Sequence, residues 1–245
     1  MVPEWNSGTK YENLDLTMPS RLPVDRPLAN FTNDTALTRS GIIIAQMVGR
    51  GLFVAERVPD IIYCSPALRC LQTATFVKTI SGSNALLRVE PGLFENCTLY
   101  PAGTPKFLTP SQRASSFPVD EDYRPLVPQD QLFTGEKETI PHYNERLHKV
   151  LTTLADREEF RQNSKPPVVL MVAHASSVEM AVGLLRKNPR KTKTEELINL
   201  NVMVPYCSIV HLEKTSDAWA PNPFVIPPIT YENFTNRYNP AFVDR

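Results

Sequence analysis

The sequence predicts an α/β protein, a three-layer sandwich in which a mostly parallel sheet is covered by helices on both faces. Three short, largely apolar runs, at 61–64, 86–89 and 167–173, read as strands, and those at 61–64 and 167–173 lack polar alternation, as expected of strands buried on both sides. They alternate with stretches of helical spacing, the pattern of strands joined by crossover helices. At 245 residues and 42% hydrophobic content the chain can bury a sizeable core.

In chain order, residues 1–36 are polar and punctuated by Pro3, Pro19, Pro23 and Pro27, and they read as an extended N-terminal arm. The remainder, 37–245, reads as one domain. Thr38 precedes a helix expected over 38–58, with Ile43, Ile44, Met47, Val48, Leu52 and Val54 on one face. The strand at 61–64 meets Ser65-Pro66 at once, which predicts a helix capped by Ser65, opened by Pro66 and running to Ile80. After the strand at 86–89, residues 96–140 hold six prolines, Pro101 to Pro128, and read as an irregular insertion serving as lid or binding wall. A helix is expected over 141–160, the clearest strand over 167–173, a helix from Ala175 through Lys187, a strand over 207–212 and a proline-rich tail from Pro221.

Lysines and arginines number 26, as do aspartates and glutamates, so no net field steers the chain onto nucleic acid or an anionic membrane. Prolines number 23 against 9 glycines; average usage is about 5% and 7%, so the connections should be stiff. Cys64, Cys70, Cys97 and Cys207 form no Cys-x-x-Cys pair and read as free thiols; no metal or other cofactor is expected. The first ten residues lack a signal-peptide core and no apolar run approaches about 18 residues. A soluble, cytoplasmic chain is the expectation, with the Asn-x-Ser/Thr sequons at Asn30, Asn33, Asn96 and Asn233 unused.

In an open α/β sheet, ligands sit beyond the carboxyl ends of the strands. Ser65 and Arg69 follow the first run, Glu90 and Glu95 the second, and His174 ends the third. A guanidinium in the first turn of a helix and a histidine at a strand tip on the same sheet edge make an anion cradle.

Tyr63-Cys-Ser-Pro-Ala-Leu-Arg-Cys-Leu-Gln-Thr-Ala74, Arg88-Val-Glu-Pro-Gly-Leu-Phe-Glu95, Asp122-Tyr-Arg-Pro125, Val172-Ala-His-Ala-Ser-Ser177 and Leu37-Thr-Arg-Ser-Gly41 together resemble the histidine phosphatase (phosphoglycerate-mutase-like) superfamily. Within it the pattern is nearest the domain of the suppressor-of-T-cell-receptor-signalling and ecdysteroid phosphatases. The resemblance implies phosphomonoester hydrolysis through a phosphohistidine, on phosphate esters or phosphotyrosine proteins, with a homodimer suggested. Carried over, Arg69 is a phosphate clamp, His174 the second phosphate-holding histidine and Glu95 the general acid, while Glu90 is structural. Asn96 departs from the tryptophan of close relatives.

The family's Arg-His-Gly nucleophile motif is absent, and with it the first strand, so the expectation is a chain with little or no turnover of its own. Loss of a nucleophile costs on the order of 10⁶ in rate. His174 is assigned, His142 and His148 fall on an expected helix, and His211 lies late in a separate strand. Cys64 does not substitute, because Cys64 to Arg69 is Cys-x4-Arg rather than the Cys-x5-Arg loop of cysteine phosphatases. Two other expectations are an active phosphatase completed by an upstream segment that carries the motif, and a non-catalytic binding or scaffold module using the insertion.

Overall fold

The computed structural model describes residues 10–100, 103–133, 138–157, 166–183, 204–214, 219–222, 225–227 and 229. Strands β1 (Ile61–Cys64), β2 (Leu87–Val89) and β3 (Val169–Val172) form a parallel sheet in the order β2-β1-β3. Around them lie helices α1 (Arg39–Val54), α2 (Leu68–Ser81), α3 (Pro110–Ser116), α4 (Ile140–Ala155) and α5 (Ala175–Gly183). A separate antiparallel pair, β4 (His211–Lys214) and β5 (Trp219–Asn222), closes the described chain. Among the described residues no strand precedes α1, and β3 pairs only with β1.

The two-residue period of a strand builds the layers. Ile62, Cys64, Leu170 and Val172 face α2 and pack with Leu68, Leu71 and Ala74; Ile61, Tyr63, Val169 and Met171 face α4 and pack with Tyr143, Leu147, Val150 and Leu154. α1 lies mainly on α2, its Val48 and Leu52 meeting Val77, with Leu170 of β3 at the margin of the same cluster. The three-layer expectation therefore holds. β1 is buried along Ile62–Cys64, whereas every residue of β3 is half-exposed. Central and edge strands differ in this way although both read as apolar runs.

Thr38 caps α1 as expected, its hydroxyl accepting from the Gly41 amide at 3.0 Å. The expected start of the next helix is corrected. α2 opens at Leu68 with Ala67 in the cap position, and the cap hydrogen bond comes from the arm, where Asp34 Oδ1 accepts from the Leu68 amide at 2.7 Å. Ser65 is thereby free for other work. The insertion is more ordered than its prolines suggest: Thr109 and Gln112 form a capping box with Pro110 at the first position of α3, and Leu108 and Phe117 enter the core. The strand expected at 207–212 begins at His211, because Cys207 takes a positive φ of 56° in a turn; the tail supplies its partner β5. Residues 158–165 and 184–203, where two helices were expected to end, lie outside the described set.

The stretch read as an arm is drawn into the core. Phe31 is fully buried beneath the Arg26 guanidinium, 4.1 Å from its ring centre, and Arg26 pairs with Asp34 at 2.9 Å in a buried bridge. Arg26 also donates to the Lys106 carbonyl, so the arm binds the insertion as well as α2. No helix among the described residues is long and apolar enough to cross a membrane.

Candidate functional site

Parallel register brings the three strand ends together. The Ser65 amide donates to the Val172 carbonyl at 3.0 Å and the Glu90 amide to the Cys64 carbonyl at 2.8 Å, so the ladder runs on to the residues just beyond each strand. Ser65, Glu90 and His174 thus share one sheet edge, with Arg69 one residue into α2.

The structure brings Arg69, Glu95 and His174 into contact. Arg69 Nη2 donates to the Glu95 carboxylate and lies 3.0 Å from Nδ1 of His174 and 3.1 Å from the Tyr100 hydroxyl. The His174 ring has 4% of its side chain exposed, Glu95 10% and Arg69 26%, so the guanidinium is the group a ligand meets first. A guanidinium has no lone pair to offer, so Nδ1 of His174 accepts. Nε2 then carries the ring proton and donates to Ser65 Oγ at 2.9 Å. Phe94 packs edge-on against the ring, centroids 5.3 Å apart.

Burial lowers the His174 pKa from 6.5 to about 3; Glu95 opposes the shift, and Arg69 and Arg146 reinforce it. The ring is neutral at physiological pH. Burial pushes the Glu95 carboxyl upward, but contact with the His174 ring and the Arg69 guanidinium, with the Tyr100 hydrogen bond, more than offsets it and holds the carboxyl below its ordinary value; with the ring neutral, the charge that does so near neutral pH is that of Arg69. Tyr100 is raised well above a free phenol, first by burial and then by the adjacent carboxylate.

Glu90 stands apart and is fully buried. Its carboxylate accepts from the Gly92 amide at 2.9 Å, the Tyr123 hydroxyl at 2.8 Å, and the Leu126 and Val127 amides at 2.7 and 3.1 Å. These bonds pin the Asp122–Pro125 segment to the end of β2. Cys64 is also fully buried, and burial pushes its thiol far above the physiological range. No thiolate nucleophile forms there.

Sequence reasoning missed Tyr100 and Asp34, and gave Ser65 a cap role beside its correct place at the sheet edge. Tyr100 reaches Glu95 because Asn96 Oδ1 accepts from the Thr98 amide at 2.8 Å and starts a short turn over Cys97–Leu99, after which the Tyr100 ring stacks on Phe94. The Asn96 side chain is itself buried, its Nδ2 without a partner. That sequon is therefore closed to a glycan in the folded chain, while Asn33 donates to the Gly103 carbonyl. Within the insertion, Pro105, Phe107, Pro110, Arg113, Gln129 and Asp130 line an open cavity of about 390 Å³, and Phe107 packs edge-on against Phe94. The described residues hold no group of three His, Cys, Asp or Glu side chains that could bind a metal ion. His142 and His148 are exposed on α4 and His211 lies on β4, so among the described residues no second histidine touches Arg69, Glu95 or His174.

Comparisons with known proteins agree with this architecture. The chain is 33% identical over 215 residues to the ecdysteroid-phosphate phosphatase of Drosophila melanogaster, covering 85% of this chain and 27% of that protein. It is 32% identical over 228 residues to human ubiquitin-associated and SH3 domain-containing protein B, covering 89% of this chain and 34% of the relative. The chain thus spans about a third of the length of these relatives. The crystal structure of the ecdysone phosphate phosphatase of Bombyx mori in complex with tungstate superposes with a TM-score of 0.78 at 26% identity, covering 99% of this chain and 92% of that one. A family model, histidine phosphatase superfamily (branch 1), matches residues 26–224, and the chain belongs to that superfamily.

Proposed function

We propose that this domain recognises the phosphoryl group of phosphomonoesters, and that with its own four histidines it turns them over negligibly. The observation that carries this is the convergence of Arg69, Glu95 and His174 at the carboxyl edge of the sheet, with no second imidazole there among the described residues. Arg69 supplies the charge-assisted hydrogen bonds, the His174 ring backs Arg69 from the inner side of the seat, and Glu95 is the acid that would protonate a leaving oxygen. Two such bonds of about 1.5–3 kcal/mol each place phosphate affinity near millimolar.

A second reading, an active phosphatase, is favoured by one observation. Among the described residues β3 is half-exposed and pairs on one side only, leaving room for a further parallel strand beside His174. A strand laid there would deliver an imidazole to the same sheet edge. The names of the relatives suggest phosphorylated ecdysteroids as substrates, and the family resemblance suggests phosphotyrosine proteins; the cavity bounded by Phe107 and Arg113 is where an apolar leaving group would lie. A purely scaffolding insertion has less support, because Leu108, Phe117 and the partners of Glu90 make that segment part of the domain wall. Ile43, Met47, Phe53 and Val54 expose an apolar face of α1 that a second copy would cover in a homodimer.

Assay of this chain alone against p-nitrophenyl phosphate tests the main reading. Background-level turnover with calorimetric binding of inorganic phosphate, lost in Arg69→Ala, is expected. Clear turnover abolished by His174→Ala would overturn the claim of inactivity.

A further inference from the structure

The anion seat on Arg69 already has an occupant. Nη2 of Arg69 donates to Glu95, and the Tyr100 hydroxyl ties the two together: it donates its one proton to Glu95 Oε1 at 2.5 Å and accepts from Arg69 at 3.1 Å. Its proton is committed to the carboxylate and cannot serve a ligand at the same time. The His174 ring is also turned inward, with its Nδ1 lone pair on Arg69 and its Nε2 proton on Ser65, so it presents no donor to an entering oxyanion.

Resting on the reading of this cleft as a phosphoryl site, we infer that Glu95 is the resident anion of the Arg69 seat and that Tyr100 is the positioning residue holding it there. A tetrahedral oxyanion then enters by displacing the carboxylate, which takes up a proton. An ionised carboxylate and a dianion cannot share one guanidinium without strong repulsion in so buried a site. Proton uptake by Glu95 relieves it and leaves the side chain as a carboxylic acid beside the bound group.

The groups facing Glu95 narrow the source of that proton linkage. From α2 come Arg69 and Cys70, from the end of β3 His174, from α4 Tyr143, with Arg146 acting on His174 and Cys97 beside it, and from its own loop Cys97 and Tyr100. Arg146 is held by Glu138 at 2.7 Å and by the Gly92 and Phe94 carbonyls, and the Tyr143 phenol is bonded to Ser176. Burial pushes both thiols up to about 12, and the His174 ring is neutral down to about 3. Asp34 reaches Arg69 and Cys70 from residues 10–36 with its pKa raised by burial, but it is tied to Arg26 and to the Leu68 amide away from the seat. Among the described residues that leaves Glu95, ionised while it sits on Arg69, as the group an entering anion drives to take up a proton.

Sulfate is the suitable probe, because its charge stays at −2 across about pH 5 to 8, and titration calorimetry in buffers of differing ionisation enthalpy reads affinity and proton uptake together. The intact chain should bind sulfate more tightly as pH falls, approaching about tenfold per pH unit, with about one proton taken up per sulfate. Glu95→Gln should bind about tenfold or more tighter near pH 8, with no pH dependence and no proton uptake. Tyr100→Phe should bind several-fold tighter near pH 8 with proton uptake retained, whereas a merely structural role for the hydroxyl would weaken binding and leave the pH profile unchanged. If wild type and Glu95→Gln bind sulfate alike through Arg69, the displaced-carboxylate inference fails and the phosphoryl cleft stands. If neither shows binding that Arg69→Ala removes, the cleft reading itself fails.

Discussion

His174 is kept neutral by its surroundings, and this has a consequence for stability. In the unfolded chain the ring has its ordinary pKa of 6.5, while in the fold burial takes it to about 3. As pH drops below about 6.5 the unfolded state gains a proton that the folded state refuses, so stability falls by up to about 1.4 kcal/mol per pH unit toward about pH 3. His174→Gln should flatten that component in urea denaturation measured between about pH 6.5 and 4. Glu90 makes a different prediction: Glu90→Gln turns a donor group toward amides that already donate, and should cost about 2–3 kcal/mol in denaturant melts without altering phosphate affinity in the surviving fold. That Arg69, Glu95 and His174 stand at one sheet edge was legible in the sequence because each follows a strand, but the strand pattern did not separate Glu95 from Glu90; only the family resemblance did. Tyr100 was not, since its approach to Glu95 depends on a turn started by a buried Asn96, where the pattern of relatives led one to look for tryptophan.

At the scale of elements, local signals were read well where the cap was local. Thr38 marks α1 because its own hydroxyl does the capping. α2 misled because Ser65-Pro66 is a good start signal, yet β1 runs directly into a turn that spends Ser65 on His174 while Asp34 caps from 34 residues upstream. The Thr109-Pro110-Ser111-Gln112 string of α3 was a readable capping box hidden among prolines. Asp34→Ala should remove the cap, worth about 1 kcal/mol, and strand Arg26 as a buried unpaired charge, for a total of about 3–5 kcal/mol. Asp34→Asn, which keeps an acceptor for Leu68, should lose less. Gly49 marks the close crossing of α1 over α2: a methyl group there would sit 2.8 Å from the Val77 carbonyl oxygen. Gly49→Ala should therefore lower the unfolding midpoint by the equivalent of about 1–3 kcal/mol.

For the whole molecule, the layer order and parallel sheet followed from the alternation of apolar runs with helical spacing, whereas the place of residues 10–36 did not. Their polar, proline-rich composition hides a few anchors, Val24, Arg26, Phe31 and Asp34, that meet the core through long-range contacts no periodicity records. Burial of Val24 and Phe31 alone is worth about 3–6 kcal/mol, a large part of the roughly 5–15 kcal/mol that holds a domain together. Deletion of residues 1–36 should abolish the cooperative thermal transition and phosphate binding together, checked by circular dichroism and calorimetry. Asp34 also sets an order of events. A helix can wind within microseconds, but its first turn, and with it the clamp arginine, stays frayed until a distant carboxylate arrives. In refolding, phosphate capture should therefore lag helical signal in stopped-flow traces, competence being the last property the chain acquires.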